Sequence, residues 1–111
     1  MKYFIPQRTQ PPHIGHISML EAACNSADEV VIGIGSANRY NERNPYTANE
    51  RQLMLEKSLY DIGINNYTFV QLDDHDNWEK WAEQVREKVN LDDETVILSG
   101  NYLVNDYFES K

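Results

Sequence analysis

Two histidines with a glycine between them follow a short apolar segment near the start of the chain. His13 and His16 flank Gly15, and apolar residues recur at helical spacing from Ile14 onward, so both imidazoles are predicted at the first turn of a helix. The backbone N–H groups of such a turn have no acceptor within the helix and carry the positive end of its dipole. With two imidazole donors and a glycine that admits close approach, this turn is predicted to bind a phosphate group.

Two other interpretations of these histidines stay open at this stage. They are compatible with an exposed surface pair. They are also compatible with a metal site that includes His75 and the neighbouring acids Asp73 and Asp74, although the spacing matches no recognised zinc motif.

Charge and composition exclude several classes of protein. The 111 residues carry a net charge of −8, and residues 58–111 supply all of it, which argues against a protein that wraps a nucleic-acid backbone. No apolar run approaches the roughly 20 residues that span a membrane. The single cysteine, Cys24, cannot form an internal disulfide and is predicted to be a buried thiol. We therefore expect a soluble cytoplasmic protein.

Predicted strands and helices alternate along the chain. The predicted strands cover residues 2–5, 29–34, 67–72 and 95–98, with a loop at 6–12. Predicted helices cover 14–25, then the segment from the Thr47–Glu50 capping box to Gly63, then a segment that opens with a second capping box at Asp76 and Glu79. A short last helix is predicted around Leu103, Tyr107 and Phe108. This alternation indicates one α/β domain over residues 1–111, a doubly wound parallel sheet with right-handed crossovers.

Ligands of such sheets bind beyond the carboxyl ends of the strands. Arg8, Ser36 and Asp74 each follow a predicted strand, so these side chains are expected at one edge of the sheet. Gly33 and Gly35 either pack at the end of their strand or allow a ligand to approach, and the sequence favours neither. Arg51 lies at a helix start, where the dipole opposes a cation, which hints at a bound phosphate.

Four sequence blocks resemble the HxGH nucleotidylyltransferase superfamily, and they are most similar to the archaeal-type nicotinamide mononucleotide (NMN) adenylyltransferases. The superfamily signature G-R-F-Q-P-F-H-x-G-H corresponds to residues 7–16, where the Arg, the Gln, the Pro and both His match but the first Gly and both Phe do not. The family blocks I-G-I-G-S-A, N-P-F-T-A-G-E-R and S-G-N-P-L-V correspond to residues 32–37, 44–51 and 99–104. The resemblance covers nearly the whole chain and implies a Rossmann-like, three-layer α/β/α fold.

The resemblance also implies the roles of individual residues. His13, His16 and Arg51 would act on the reacting phosphates. ATP would be bound, with Mg²⁺ bridging its phosphates, by Arg8, Gln10, Gly15, Gly35, Ser36, Ser99, Gly100 and Asn101. Asp74 and Trp81, seven residues apart, would hold the nicotinamide ring of NMN, and Trp81 would then face a pocket instead of the core. The implied activity is transfer of AMP from ATP to NMN with release of pyrophosphate.

Members of the superfamily continue beyond the Ser99 block to a further strand and an S/T-x-x-R segment whose arginine contacts the triphosphate. The printed sequence ends at Lys111, so we expect a fold without its last strand and helices, with weak activity or none. An unpaired edge at residues 95–98 and the apolar residues 102–108 further predict self-association into a homo-oligomer.

Alternatives to this activity are another acceptor, of the pantetheine-phosphate or flavin type, and a non-catalytic nucleotide-binding module. The tetrapeptide H-I-G-H also occurs in class I aminoacyl-tRNA synthetases. The acidic charge, the short length and the lack of a K-M-S-K-S-like segment argue against that class.

Overall fold

Strands and helices alternate in the computed structural model, which describes residues 1–75 and 77–98. In chain order they are β1 (Lys2–Gln7), α1 (Ile14–Ser26), β2 (Glu29–Ile34), α2 (Ala48–Asp61), β3 (Tyr67–Gln71), α3 (Trp78–Lys88) and β4 (Thr95–Ile97). The strands form one sheet in the order β3-β2-β1-β4, and every pairing is parallel. The predicted doubly wound α/β fold is therefore confirmed.

The sheet is covered by helices on both faces. Leu20 of α1 and Leu55 of α2 share one apolar cluster with Ile5 of β1, whereas Val85 of α3 packs against Phe4 on the opposite face. Side chains of adjacent strand residues point to opposite faces, so β1 contributes to both cores. The predicted α/β/α layering is thus confirmed. Cys24 is buried in the first cluster, as predicted, and this burial raises the pKa of its thiol.

Strand β1 is two residues longer than predicted, because Pro6 continues it. Pro6 pairs with Gly33 of β2, whereas β4 pairs only with residues 2–4 on the other side. The amide hydrogen that proline lacks therefore falls beyond the described pairing with β4. A strand can accommodate proline at such a position.

The helix starts match the sequence in one case and differ in another. Thr47 and Glu50 form the predicted capping box of α2, with bonds of 3.1 and 3.0 Å. The predicted box at Asp76 is wrong, because α3 begins one residue later and its cap is Asn77, whose side chain accepts from the Lys80 amide at 2.9 Å. Asp76 itself lies outside the described residues.

Two predictions fall on residues 99–111, which the structure does not describe. These are the short last helix and the apolar set that would drive self-association. Strand β4 is the outer strand of the sheet as far as residue 98, and self-association through this edge stays a prediction. Among the described helices, none has the length and apolarity needed to cross a membrane.

Candidate functional site

The first turn of α1 is capped by the two histidines themselves. The Nδ1 atom of His13 accepts a hydrogen bond from the Gly15 amide, and Nδ1 of His16 accepts one from the His13 amide, each at 3.0 Å. Because Nδ1 is the acceptor, each neutral ring carries its proton on Nε2, which becomes a donor. The two rings stack with their centroids 3.8 Å apart. The turn therefore presents a matched pair of N–H donors.

Gly15 leaves room for the His13 ring in this arrangement. A Cβ atom at this position would lie only 2.8 Å from Cε1 of His13. A side chain here would push the imidazole away from the amide that it caps. The His13 cap thus requires a glycine at position 15, and close approach of a phosphate to Gly15 stays a prediction.

The surroundings of His16 favour its neutral form. Burial lowers the pKa of its imidazole, and the neighbouring His13 adds a smaller lowering. A neutral ring with its proton on Nε2 can donate a hydrogen bond without adding charge to the site.

Arg8, at the end of β1, is the cation that the structure positions. Its Nε and Nη2 atoms donate to the side-chain oxygen of Asn44 at 3.1 and 2.7 Å, and Nη2 also donates to the Arg43 carbonyl. Asn44 is fixed in turn by Asn41, whose Oδ1 accepts from the amide and side chain of Asn44. Neutral oxygens orient this guanidinium, so its charge is not cancelled by these partners.

Arg51 has a different position from the one predicted. Its side chain is 0% exposed, and its guanidinium donates to the carbonyls of Arg8, Gly35 and Ser36, the bond to Gly35 being 2.7 Å. Burial lowers its pKa, and so to a smaller extent does the nearby Arg8, while the carboxylate of Asp74 opposes this. The prediction that Arg51 contacts a triphosphate does not fit this burial. Its guanidinium is buried and links the residue after β1 to the residues after β2.

Gly33 of β2 and Gly35, just after this strand, have close protein neighbours. A Cβ on Gly33 would lie 2.9 Å from Leu72, and one on Gly35 would lie 3.0 Å from the Gln7 carbonyl. The Gly35 amide donates to that same carbonyl at 2.7 Å, so the strand exits approach each other closely. Ser36 then turns the chain with a φ of 51°. The Leu72 side chain thus requires a glycine at position 33, and the Gln7 backbone requires one at position 35, whose contact with ATP stays a prediction.

Gln10 also binds protein backbone in this structure. Its side-chain amide donates to the Tyr46 carbonyl at 2.9 Å and accepts from the Tyr46 amide at 3.0 Å. This reciprocal pair ties the loop after β1 to the segment before α2. The pair uses one of the two N–H donors and one of the two oxygen lone pairs of this amide, so contact of Gln10 with ATP stays a prediction.

Asp74 follows β3 and is held by the loop after β2. Its backbone amide and carbonyl bond reciprocally to the side chain of Asn38, at 2.8 and 3.2 Å. Its Oδ2 atom lies 3.3 Å from Nε of Arg39, in an ion pair whose carboxylate side chain is 39% exposed. The structure therefore brings Asp74 to the same edge of the sheet as Arg8 and Ser36, as predicted.

Trp81 lies between the two environments that the sequence allowed. Its ring is half-buried, packs against the cluster that includes Val85 and Val89, and meets Trp78 edge to face at 5.7 Å between centroids. It is therefore neither wholly in the core nor wholly exposed. Its contact with a nicotinamide ring stays a prediction.

Three predicted site residues lie outside the part of the chain that the structure describes, and three residues that were not predicted hold the site together. Ser99, Gly100 and Asn101 lie outside the described residues. Within residues 1–75 and 77–98, no three His, Cys, Asp or Glu side chains group as a metal site, so the alternative around His75 gains no support. The sequence did not point to Asn38, Asn44 or Gln84. Their hydrogen bonds are to groups that are distant along the chain, and no local motif predicts such bonds.

Comparisons with known proteins agree with this geometry. The cytidylyltransferase-like family model matches residues 8–110. Nicotinamide-nucleotide adenylyltransferases of Methanolobus tindarius and Methanococcus aeolicus are 40% and 36% identical, over 92% and 100% of this chain and 58% and 63% of their own lengths. The chain thus spans about three fifths of these curated relatives.

A solved structure gives the same result for the fold. The chain matches a bifunctional NMN adenylyltransferase/ADP ribose pyrophosphatase from Francisella tularensis, complexed with AMP and a manganese ion, with a TM-score of 0.88 and 25% identity. The match covers 98% of this chain and 34% of that one. Because the family model covers most of the sequence, the chain belongs to the cytidylyltransferase-like family.

Proposed function

We propose that this chain carries an NMN adenylyltransferase site, which transfers AMP from ATP to the phosphate of NMN and releases pyrophosphate. The observation that carries the proposal is the double histidine cap of α1, in which both Nδ1 atoms bind backbone and leave two Nε2–H donors for a ligand. The names of the relatives support the choice of reaction, since those from M. tindarius and M. aeolicus are nicotinamide-nucleotide adenylyltransferases.

The reaction requires positioning and charge stabilisation but no covalent intermediate on the protein. An oxygen of the NMN phosphate attacks the α-phosphorus of ATP and forms a new P–O bond. The bond from that phosphorus to the bridging oxygen breaks, and pyrophosphate leaves with the electron pair. Negative charge builds on the α-phosphate oxygens, so donors fixed in advance lower the barrier.

His13 and His16 supply those donors. Both rings are held by the backbone of the turn, so little reorganisation is needed when charge develops. Arg8 supplies positive charge toward the phosphates. Arg51 acts as a positioning residue, because it holds the carbonyls of Arg8 and Gly35 and thereby the two strand ends that would flank ATP.

The remaining assignments follow the same division of the site. Gln10, Gly15, Gly35 and Ser36 would line the ATP side. The resemblance adds Ser99, Gly100 and Asn101 to this side. On the acceptor side, Asp74 would accept from the carboxamide of NMN and Trp81 would stack on its ring.

A divalent cation completes the substrate. The structural relative from F. tularensis contains AMP and a manganese ion, and we propose Mg²⁺ as the ion used with ATP here. Mg²⁺ typically keeps several water ligands and binds through substrate phosphates. Among the described residues, no three acidic, cysteine or histidine side chains group as a metal site.

We further propose a cytoplasmic location and association between copies of the chain through the outer strand β4.

The test is pyrophosphate release from ATP with three acceptors: NMN, phosphopantetheine and FMN. We expect NMN to give the fastest release, at a low absolute rate for this chain alone. If pyrophosphate release were faster with FMN or phosphopantetheine, that compound and not NMN would be the acceptor. Binding of ATP with no release for any acceptor would instead favour the non-catalytic nucleotide-binding module.

A further inference from the structure

Two side-chain amides form hydrogen bonds to the backbone of two successive residues after β3. Gln84 of α3 accepts from the Asp73 amide at 2.8 Å and donates to the Asp73 carbonyl at 3.0 Å. Asn38, from the loop after β2, makes the same reciprocal pair with Asp74. Each amide thus satisfies both the N–H and the C=O of one backbone residue, as a neighbouring strand would.

The two amides meet on one peptide group. The peptide that joins Asp73 to Asp74 has its carbonyl bonded to Gln84 and its N–H bonded to Asn38. A peptide group is planar, so rotating it breaks both of these bonds together. Removing one amide should therefore loosen the peptide that the other amide also holds.

Burial makes one of these amides difficult to replace by water. Gln84 is only 9% exposed, and Lys88, one turn later, donates to the Gln71 carbonyl at 2.6 Å. Helix α3 thus holds the chain from the last residue of β3 to Asp73. On the other side of the segment, the exposed ion pair of Arg39 with Asp74 adds little stability by itself.

We propose that Asn38 and Gln84 are positioning residues that lock Asp73 and Asp74 into one rigid unit and thereby set the affinity for the acceptor nucleotide. The rigidity follows from the shared peptide. The consequence for the acceptor rests on the proposed function, in which Asp74 binds the ring of NMN. A carboxylate held in place before binding loses less conformational entropy when the ligand arrives.

Amide hydrogen exchange tests the rigidity without any ligand. Asn38→Ala removes the partner of the Asp74 amide, and Gln84→Ala removes that of the Asp73 amide. A rigid unit predicts faster exchange, by about tenfold, at both amides in both variants, because a lost hydrogen bond commonly changes an equilibrium by this factor. Exchange at the Val31 amide of the central sheet serves as the internal reference.

Asn66→Ala is the matched control for general destabilisation. Asn66 is also an amide clamp, and its Nδ2 donates to the carbonyls of Cys24 and Ala27 at 2.8 and 3.0 Å. It precedes β3, so it lies at the opposite end of that strand from Asp74. We expect this variant to leave the exchange of Asp73 and Asp74 unchanged relative to Val31.

Calorimetric titration with NMN and, separately, with ATP tests the consequence for the ligand. Asn38→Ala and Gln84→Ala should each weaken NMN binding about tenfold and leave the Kd for ATP within about twofold, whereas Asn66→Ala should change neither. Faster exchange only at the amide that lost its own partner would overturn the rigid unit. Coupled exchange with unchanged NMN affinity would overturn the role in acceptor binding. A parent chain that binds no NMN would contradict the proposed function, and the exchange result would still decide the rigid unit.

Discussion

Replacing Arg51 by methionine should destabilise the fold far more than it weakens ATP binding. Methionine preserves much of the buried hydrocarbon but removes the donors that hold the carbonyls of Arg8 and Gly35. A hydrogen bond from a charged donor contributes about 1.5–3 kcal/mol. Part of that gain is offset because the guanidinium no longer has to be buried, so we expect a net loss of about 3 kcal/mol.

Urea unfolding followed by tryptophan fluorescence measures this loss. With a slope of about 1.5 kcal/mol/M for a domain of this size, the midpoint should fall by about 2 M. Arg51→Lys keeps one charge but loses the planar fork, so its midpoint should lie between those of the parent and the methionine variant. Arg43→Ala removes an exposed arginine side chain and should stay within about 0.5 kcal/mol of the parent.

Direct binding of phosphate by Arg51 would give a different pattern of stability and affinity. If Arg51→Met unfolds at nearly the parent midpoint while its affinity for ATP falls by about a hundredfold, Arg51 binds phosphate directly. The guanidinium would then leave its carbonyl partners when the nucleotide binds.

Three further predictions concern the histidines and Trp81. His16→Ala removes the Nε2–H donor, so it should lose about 10²–10³ in the rate of pyrophosphate release, and a rate within a few-fold of the parent would contradict the assignment. Because the pKa of His16 is lowered on folding, the unfolded chain takes up a proton at higher pH than the folded one. The contribution of His16 to stability is therefore present above about pH 6.5 and lost below it as the pH falls through the folded pKa, and urea midpoints at pH 7.5 and 5.5 should show a larger fall for the parent than for His16→Ala. Trp81→Ala should raise the Kd for NMN more than the Kd for ATP, and equal effects on both would indicate a packing role alone.

The parts of the fold that sequence predicts well are those fixed by local chemistry. The β-branched run from Glu29 to Ile34 forms a strand with the predicted bounds, and the capping box at Thr47 starts α2 where expected. Pro6 was predicted to end β1, but the strand continues through it, since the described pairing with β4 covers only residues 2–4. Where that pairing stops is a property of the assembled sheet and not of the local sequence. Local pattern thus gave the elements, while their exact ends depended on neighbours.

The site shows the same division more strongly. The positions of His13 and His16 at a helix start were predictable, but their use of Nδ1 as caps was not, since histidine is not a usual capping residue. Arg51 was predicted to face a ligand because a cation opposes the dipole at a helix start. Its real partners are carbonyls from distant loops, and no local pattern shows that they converge.

We propose that this site accepts NMN beside ATP. Titration of the 111-residue chain with NMN, FMN and phosphopantetheine, in the presence of a saturating, non-hydrolysable ATP analogue, tests this selectivity. We expect NMN to bind at least about tenfold more tightly than either of the others, and Asp74→Ala to remove this preference. Equal affinities, a preference for another acceptor, or no binding of NMN would contradict it.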